Sequence, residues 1–434
     1  MLKCLKIRIF FNYFDEKILF VDSLMFEWYI IFIYLLGGNI FMKKKIFAVV
    51  LAVVVLLSMS VSALAVVDES TGVLKFNEDG KFTIMHISDI QDTYPMNKTT
   101  AQYINEVLQE YQPDLVVLGG DNTVAPCEIK EDAIKELCDL FVNNETYFTF
   151  VFGNHDSEQG YTNEELFLMY KLYGGKYCLA YDAEPEITGV GTHNLLVYSS
   201  DMSKVAYNLY MFDSNQYVEQ GYDCVHEDQI EWYKNTSNAL KLMNNGEVVP
   251  AMAFQHIIVQ DVCEELYFKS AIDLGDLGLA FDGVSYTYIP NITALKTGYI
   301  FEPTCPGYYN LGQFDAMVET GDVVAIYSGH DHQNSFVVEK DGIDIVNTTG
   351  CTFHSYGLDI NRGARIIELD ENDTSTYKTY IATVAKQALK EGSKITEFGD
   401  ITAFDAYMAI MLDTFLEATV QCLATIFSVF NIFA

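Results

Sequence analysis

Apolar residues recur with two alternating periods along the central part of the chain, one typical of buried strands and one typical of amphipathic helices. Short apolar runs predict strands in FTIMHIS (82–88) and DLVVLGGD (114–121), and a strand that leads into a loop in YFTFVFGNHD (147–156). Between these runs, an apolar spacing of three and four predicts helices in TTAQYINEVLQEY (99–111) and EIKEDAIKELCDLFV (128–142). This β-α-β-α-β order predicts a mostly parallel sheet with helices packed against it.

A second set of strands is predicted in the later part of the chain, together with a long helix, HEDQIEWYKNTSNALKLM (226–243). The predicted strands are THNLLVYS, KVAYNLYMF, VVPAMAFQH, VVAIYSGHDH, SFVVEK, IDIVNTT, GARIIEL and YKTYIA. The two sets predict an α/β protein with two sheets packed face to face, a β-sandwich flanked by helices. Residues 264–320 form a long Gly-rich insertion, which we expect to be a loop covering the functional site.

The N-terminus carries two apolar segments. From Met42, the sequence MKKKIFAVVLAVVVLLSMSVSALA has three lysines, an apolar stretch and small residues at Ala63 and Ala65. This order predicts a secretory signal peptide over residues 42–65, and therefore a protein that is exported to the extracellular space or the cell surface. For residues 1–41 we favour a start codon assigned too early; the alternative is an additional membrane anchor.

The main domain is predicted over residues 66–384, and a C-terminal helical, apolar tail over residues 385–434. Asp413, Glu417 and Gln421 interrupt the apolar positions of the tail at every fourth residue, which disfavours a membrane span. Two alternatives remain open for this tail. It docks on the main domain, or it contacts a membrane interface or a partner protein.

Composition and charge exclude some functions. The chain has 26 Lys and Arg against 60 Asp and Glu, a formal net charge of −34, whereas a nucleic-acid-binding surface needs a basic face. Past the predicted signal the only arginines are Arg362 and Arg365, so a phosphate site would need another source of positive charge. The cysteines past the signal are even in number, which permits disulfides in an exported protein, but no CxxC pair suggests a zinc knuckle.

Polar clusters follow five of the predicted strands. They are Asp89 with Gln91 in HISDIQDT, GGDN (119–122), GNHD (153–156), FQH (254–256) and GHDH (329–332). Oxygen donors and neutral imidazoles bind borderline divalent ions well, and glycines let the backbone approach closely. Because open α/β sheets place their sites at the carboxyl ends of strands, the clusters predict one site for two ions that share a bridging carboxylate.

These clusters resemble the motifs of the calcineurin-like metallophosphoesterase family, which are D-x-H, G-D, G-N-H-D/E, H and G-H-x-H. The resemblance extends over about residues 80–384 and is closest to the purple-acid-phosphatase-like branch with a G-H-D-H-x-N-D signature. It implies a four-layer αββα fold. Two positions depart from the pattern: Gln91 stands at the histidine of the first motif, and Ser335 at the aspartate of the branch signature.

The resemblance implies two metal positions joined by one carboxylate and occupied by Mn, Zn or Fe. The implied ligands of the first ion are Asp89, Gln91, Asp121 and His332, and those of the second are Asp121, Asn154, His256 and His330. His155 would act near the leaving-group oxygen, as a proton donor or by stabilising charge. Asp156 would orient His155 or cap a helix. His354 would line the substrate pocket or make an ordinary loop hydrogen bond.

The implied activity is hydrolysis of phosphate esters by a water molecule that two metal ions activate. This chemistry needs no nucleophilic Ser or Cys, and the chain has neither a GxSxG motif nor a P-loop. The tyrosine of a G-D-x-x-Y motif is missing from GGDNTVA, which argues against a coloured Fe(III) centre. The alternative function is a catalytically silent binding protein at the cell surface. Retention of GNHD and of both GHDH histidines favours the enzyme.

Overall fold

The computed structural model describes residues 73–272, 274–275, 278–281 and 283–432, so the predicted signal peptide and the segment before it lie outside the described residues. The strands, in chain order, are β1 (Leu74–Lys75), β2 (Lys81–Ile87), β3 (Leu115–Gly119), β4 (Phe148–Val151), β5 (His193–Tyr198), β6 (Val205–Met211), β7 (Tyr217–Val218), β8 (Gly221–Tyr222), β9 (Ala251–Phe254), β10 (Tyr267–Ser270), β11 (Gly278–Phe281), β12 (Val284–Pro290), β13 (Leu295–Tyr299), β14 (Val323–Ser328), β15 (Ser335–Lys340), β16 (Ile343–Asn347), β17 (Gly363–Asp370) and β18 (Tyr377–Thr383). The α-helices are α1 (Lys98–Tyr111), α2 (Lys130–Asn143), α3 (Asn163–Gly174), α4 (Glu227–Met243), α5 (Val262–Leu266), α6 (Gln313–Thr320), α7 (Val384–Ala388) and α8 (Ala403–Ile432).

Two large sheets organise these elements. A five-stranded sheet has the order β18-β17-β2-β3-β4, and an eight-stranded sheet has the order β1-β5-β6-β9-β14-β16-β15-β13. Strands β2, β3 and β4 pair in parallel, as the alternation of strands and helices predicts. In the larger sheet, β6, β9, β14 and β16 are also parallel neighbours. The carboxyl ends of these parallel strands carry all five polar clusters.

The sheets pack face to face through a continuous apolar layer. Ile84 and Val117 of the smaller sheet share one buried cluster with Leu209, Met252 and Phe254 of the larger sheet. Both faces of the central strands are covered, which explains their unbroken apolar sequence.

Helices cover the two outer faces. On the smaller sheet, Met85 and Val116 pack with residues of α1, α2 and α3, such as Tyr103 and Ile134. On the larger sheet, α4 and α6 cover strands β6, β9 and β14. The predicted four-layer αββα β-sandwich is therefore confirmed.

The expectation of a single loop over residues 264–320 is wrong. This segment contains β10, β12 and β11, which form a three-stranded antiparallel sheet, and β13, which pairs with β15 at the edge of the larger sheet. These strands are short and half exposed, so their sequences lack the contrast that marks a buried strand. Only the later part of the segment reaches the polar clusters, where Glu302 accepts a hydrogen bond from the Gln333 backbone (2.7 Å).

The first half of α8 docks on the main domain. Ala406 and Ala409 are buried in the cluster that covers the smaller sheet. Asp413 is buried as well, and it contacts Lys386 Nζ at 3.0 Å and accepts a hydrogen bond from Tyr299 Oη at 3.3 Å. These contacts support the docking alternative for residues 403–413. None of the described helices has both the length and the apolarity needed to cross a membrane.

The cysteines of the described part of the chain are free thiols, so no disulfide joins these residues. They are Cys127, Cys138, Cys178, Cys224, Cys263, Cys305, Cys351 and Cys422. The fold of the described domain therefore rests on its apolar layers rather than on covalent cross-links.

Candidate metal centre

The polar clusters lie in the turns that follow the parallel strands. Strand β2 ends at Ile87, two residues before Asp89, and β3 ends at Gly119, two residues before Asp121. His256 and His330 likewise each follow two residues after the end of β9 and β14. Because parallel strands bring their carboxyl ends to one edge, residues far apart in the chain meet there.

Several of these residues adopt a left-handed backbone, which is uncommon for residues other than glycine. The φ angles are 53° at Asp89, 40° at Gln91, 51° at Asp121 and 71° at His330. Such conformations cost roughly 1–3 kcal/mol each and cluster at functional sites, where the surrounding structure holds them in place. Here the Gln91 N–H donates to Asp121 O (2.8 Å), and the His330 N–H donates to Asp89 Oδ2 (2.9 Å).

Two glycines permit the close packing of these turns. A Cβ atom on Gly120, whose φ is +92°, would lie 2.6 Å from Nδ1 of His256. A Cβ atom on Gly153 would lie 2.2 Å from Oδ1 of Asp121. Both distances are too short for real contacts, so any larger residue at either position would displace a side chain of the site.

Asp121, His256 and His330 form a group that could hold a metal ion. Their ligand atoms lie within 4.8 Å of one another, and all three side chains are buried. His256 Nδ1 is hydrogen-bonded to the carbonyl oxygen of Gly119 (2.8 Å), which leaves Nε2 available for a cation. Asn154 donates its amide nitrogen to Tyr217 Oη (2.8 Å), which leaves its amide oxygen available in the same way.

Asp89 and His332 form a second pair beside this group. His332 Nε2 lies 3.3 Å from Asp89 Oδ1, and Asp89 Oδ1 also lies 3.9 Å from His256 Nε2. The other ring nitrogen of His332 is hydrogen-bonded to the carbonyl oxygen of Tyr356 (3.0 Å), which fixes the orientation of the imidazole. The structure therefore brings together the residues implied for both metal positions.

Gln91 lies at the site, but it presents its amide nitrogen to Asp121 rather than its amide oxygen. Its amide nitrogen donates a hydrogen bond to Asp121 Oδ2 at 2.9 Å. In this orientation the nitrogen, not the oxygen, faces the carboxylate that would bridge two ions. Coordination of a metal by Gln91 requires the amide to turn over.

Four buried side-chain atoms point into this site without a well-aligned hydrogen bond. They are Asp89 Oδ1, Asn154 Oδ1, His256 Nε2 and His330 Nε2. Asp89 Oδ1 faces His332 Nε2 and His256 Nε2 faces Asp121 Oδ2, both at 3.3 Å, whereas Asn154 Oδ1 and His330 Nε2 make no hydrogen bond in the described part of the chain. A buried polar atom that lacks a hydrogen bond costs about 1–3 kcal/mol, so this grouping needs an explanation. All four are atoms of metal-ligand type, and a cation bound among them would satisfy them together. The residues present therefore fit a metal centre.

The electrostatics of the site favour positive charge. Burial lowers the pKa of His330 to about 3, which keeps the imidazole in the neutral form that binds metals. Burial alone would also lower the pKa of His256, but the carboxylates of Asp121 and Asp89 outweigh it and raise that pKa to about 10. Burial would raise the pKa of Asp121, yet His256 and His155 hold it below the usual range.

His155 borders the site with its ring partly exposed. Its backbone N–H donates to Asp121 Oδ1 (2.8 Å), and its ring Nδ1 lies 2.6 Å from Glu158 Oε2. Asp156, the residue expected to orient His155, instead accepts backbone hydrogen bonds from Gly153 (2.8 Å) and Asn122 (2.9 Å). The orienting contact is therefore made by Glu158, and Asp156 ties two of the turns together.

Glu158 and three tyrosines are functional candidates that the sequence analysis missed. Glu158 follows His155 by three residues in GNHDSE, a spacing that a tight turn brings into contact. Tyr217 and Tyr222 come from segments with no motif, and Tyr356 stands two residues after His354 in TFHSYG, where no role was predicted for it. His354 is exposed, and its backbone N–H donates to Thr352 Oγ1 (2.9 Å), so a loop hydrogen bond is the interaction that the structure shows.

Comparisons with known proteins found relatives in sequence and similar solved structures. Probable inactive purple acid phosphatase 14 of Arabidopsis thaliana is 26% identical over 335 residues, which cover 68% of this chain and 77% of that protein. Probable inactive purple acid phosphatase 29 of the same plant is 26% identical over 337 residues, with 69% and 79% covered. A solved dimetal phosphatase from Danio rerio aligns with a TM-score of 0.41 and 12% identity, over 70% of this chain and 99% of that one.

The family relationship rests on the sequence of the whole site region. The family model described as calcineurin-like phosphoesterase matches residues 82–334, which is more than half of the chain and includes every polar cluster from Asp89 to His332. The motifs resemble the purple-acid-phosphatase-like branch, and two of the relatives found are named purple acid phosphatases. The chain therefore belongs to the calcineurin-like phosphoesterase family.

Proposed function

We propose that this chain is an exported, metal-dependent phosphoesterase that hydrolyses phosphate esters with water activated between two ions. The observation that carries the proposal is the convergence of buried ligand-type side chains at one edge of the sheets, with Asp121, His256 and His330 within 4.8 Å of one another and Asp89 3.3 Å from His332. Asp89, Asp121 and His332 would hold one ion. Asp121, Asn154, His256 and His330 would hold the other.

The protein side chains would divide the remaining work. Two bound ions supply a deprotonated water near neutral pH and take up charge from the phosphoryl oxygens. Glu158 holds Nδ1 of His155, so Nε2 is the ring nitrogen left to give a proton to the leaving-group oxygen. Tyr217 Oη donates to Glu158 Oε1 (2.8 Å) and accepts from Asn154, so it links the proton donor to a candidate ligand.

A substrate panel tests this function. Purified protein is assayed on phosphate monoesters, diesters and nucleotides, with Mn, Zn or Fe added separately. We expect hydrolysis of at least one ester class that depends on added metal and stops when a chelator is present. Folded, metal-supplied protein that hydrolyses none of these esters would contradict the proposal.

A silent binding protein is the second candidate, and two observations favour it. Gln91 replaces a histidine of the family pattern and directs its amide nitrogen at Asp121. Two of the relatives with the same domain are named probable inactive phosphatases. The panel separates the candidates, because a silent protein would keep its fold and still give no turnover.

Changing Gln91 to histidine should strengthen the first metal position. An imidazole at this position adds a ligand nitrogen and removes the amide hydrogen bond to Asp121 Oδ2. We expect Gln91→His to retain more metal after dialysis and to need less added metal for half-maximal activity. Gln109→His, on the exposed surface of α1, serves as the control. If both variants retain the same metal as the wild type, Gln91 does not limit the first position.

Export should leave a shortened chain. The three lysines, the apolar stretch and the Ala63 and Ala65 pair support removal of residues up to Ala65. Intact-mass analysis of the exported protein should find an N-terminus near Val66. A mature chain that still begins at Met1 would contradict this part of the proposal.

A further inference from the structure

Aromatic rings cover both histidines of the GHDH cluster. The ring of Tyr222 meets His330 edge to face, with the ring centroids 4.2 Å apart and the planes at 83°. Tyr356 stacks flat on His332, with centroids 4.1 Å apart and planes at 5°. Each histidine of the GHDH cluster therefore has a tyrosine ring packed against it.

Neighbouring parts of the fold hold these rings in place. Tyr222 belongs to the short hairpin β7–β8, which also carries Tyr217, and the two rings lie 5.8 Å apart. The backbone N–H of Tyr308 donates a hydrogen bond to the carbonyl oxygen of Tyr222 (2.8 Å), which attaches the hairpin to the segment around Tyr308. Tyr356 lies in the loop 352–357, whose carbonyl oxygens at Thr352, Ser355 and Gly357 accept hydrogen bonds from Arg362.

Two of these tyrosines, Tyr217 and Tyr356, present a large part of their surface to solvent, and Tyr222 is half-buried. Tyr217 is 46% exposed and Tyr356 is 53% exposed, although both contact residues of the site. A planar group that enters the site can therefore stack on a ring that is already positioned. Such a contact binds a ring with little loss of side-chain freedom.

The charged groups around the site do not suit a highly charged substrate. Glu158 and Glu302 lie near the two sides of the centre, next to His155 and the GHDH turn. Lys130 is buried and donates to the carbonyl oxygens of Thr123 and Asp156 (both 3.0 Å), and Arg362 is engaged by its loop. A substrate with several phosphate groups would meet these two carboxylates, and neither Lys130 nor Arg362 is free to pair with it.

We infer that the site selects phosphate esters whose organic part is an uncharged, planar aromatic ring, held against Tyr222 and Tyr356. This inference rests on the proposed function, because it names the substrate class of the same site. Aliphatic esters and polyphosphates are then poor substrates, the former for lack of stacking and the latter for electrostatic repulsion.

Equilibrium binding of two phosphonates tests the inference without turnover. Phenylphosphonate and methylphosphonate carry the same phosphonate group and cannot be hydrolysed as esters. Calorimetry with Mn-loaded protein should show phenylphosphonate binding about tenfold more tightly, the range expected for aromatic contacts. Leucine at Tyr222 or Tyr356 should reduce this ratio towards one, whereas Tyr356→Phe keeps the ring and should preserve it.

The control is Tyr288→Leu, an exposed tyrosine of the three-stranded sheet, which should leave the ratio unchanged. Metal content is measured for every variant, so that a lost ion is not mistaken for a lost ring contact. Equal binding of the two phosphonates, or a ratio that survives both leucine variants, would overturn the inference even if esters are hydrolysed. Binding of neither phosphonate by metal-loaded protein would contradict the proposed function as well.

Discussion

Replacing Asp121 by alanine should abolish phosphate-ester hydrolysis and lower the metal content of the purified protein. Asp121 is the carboxylate that would touch both ions, so its loss removes a ligand from each and leaves their mutual repulsion unscreened. His330→Ala should also abolish activity but lose less metal, because it removes a ligand from one ion alone. Elemental analysis and a phosphatase assay on the same samples measure both effects.

The matched control for Asp121→Ala is Asp322→Asn. Asp322 is a buried carboxylate at the start of β14, at the opposite end of that strand from His330. It accepts hydrogen bonds from Tyr233 Oη and from Ser237 Oγ (2.7 Å), so its replacement should lower thermal stability and leave the bound metal unchanged. Asp121→Ala protein that keeps its full metal content would contradict the bridging role.

Replacing His155 by alanine should reduce kcat by about 10²–10⁴-fold while the metal content stays at the wild-type level. The ring lies at the border of the site with Nδ1 held by Glu158, a geometry that suits a proton donor rather than a ligand. Steady-state kinetics measure kcat, and elemental analysis measures the metal content. His354→Ala, which removes an exposed histidine of the nearby loop, should change neither.

Loss of metal from His155→Ala protein would show that this histidine is a ligand. The proposed role of His155 as proton donor would then be wrong. A loss of rate in His354→Ala of the same size would point to a general effect of the loop.

The fold was predictable where strands are buried on both faces. Strands β2, β3 and β4 have apolar sequences and end at polar clusters, and the structure begins each of them within one residue of the predicted start. The prediction failed for residues 264–320, because strands such as β11 and β12 are half exposed and depend on their neighbours for stability. Helix α3 was also missed, since its sequence NEELFLMYKLYG has large apolar residues on both its buried and its exposed faces.

The residues of the site that belong to sequence motifs were predictable. Asp89, Asp121, His256, His330 and His332 converge because each follows the end of a strand in one of the two sheets. The orientation of a side chain within a turn could not be predicted from the sequence. The direction of the Gln91 amide depends on left-handed backbone at Gln91 and Asp121. The contact of Glu158 with His155 depends on the tight turn after β4.

The tyrosines around the site illustrate the same limit. Tyr222 and Tyr356 are separated by more than a hundred residues, and neither belongs to one of the five polar clusters. They meet the GHDH histidines because a hairpin and a loop fold over the edge of the sheets. The candidate metal ligands can therefore be identified from local sequence motifs. The residues that pack around them are set by tertiary structure and cannot be identified in this way.

Two ions that share Asp121 are the centre of the proposed mechanism, and anomalous X-ray diffraction tests for them directly. Crystals grown with Mn²⁺ are measured on both sides of the metal absorption edge. We expect two anomalous peaks, one on each side of the Asp121 carboxylate, with Asp89 and His332 next to one peak and His256 and His330 next to the other. A single peak, or no peak within reach of Asp121 at saturating metal, would contradict a shared Asp121.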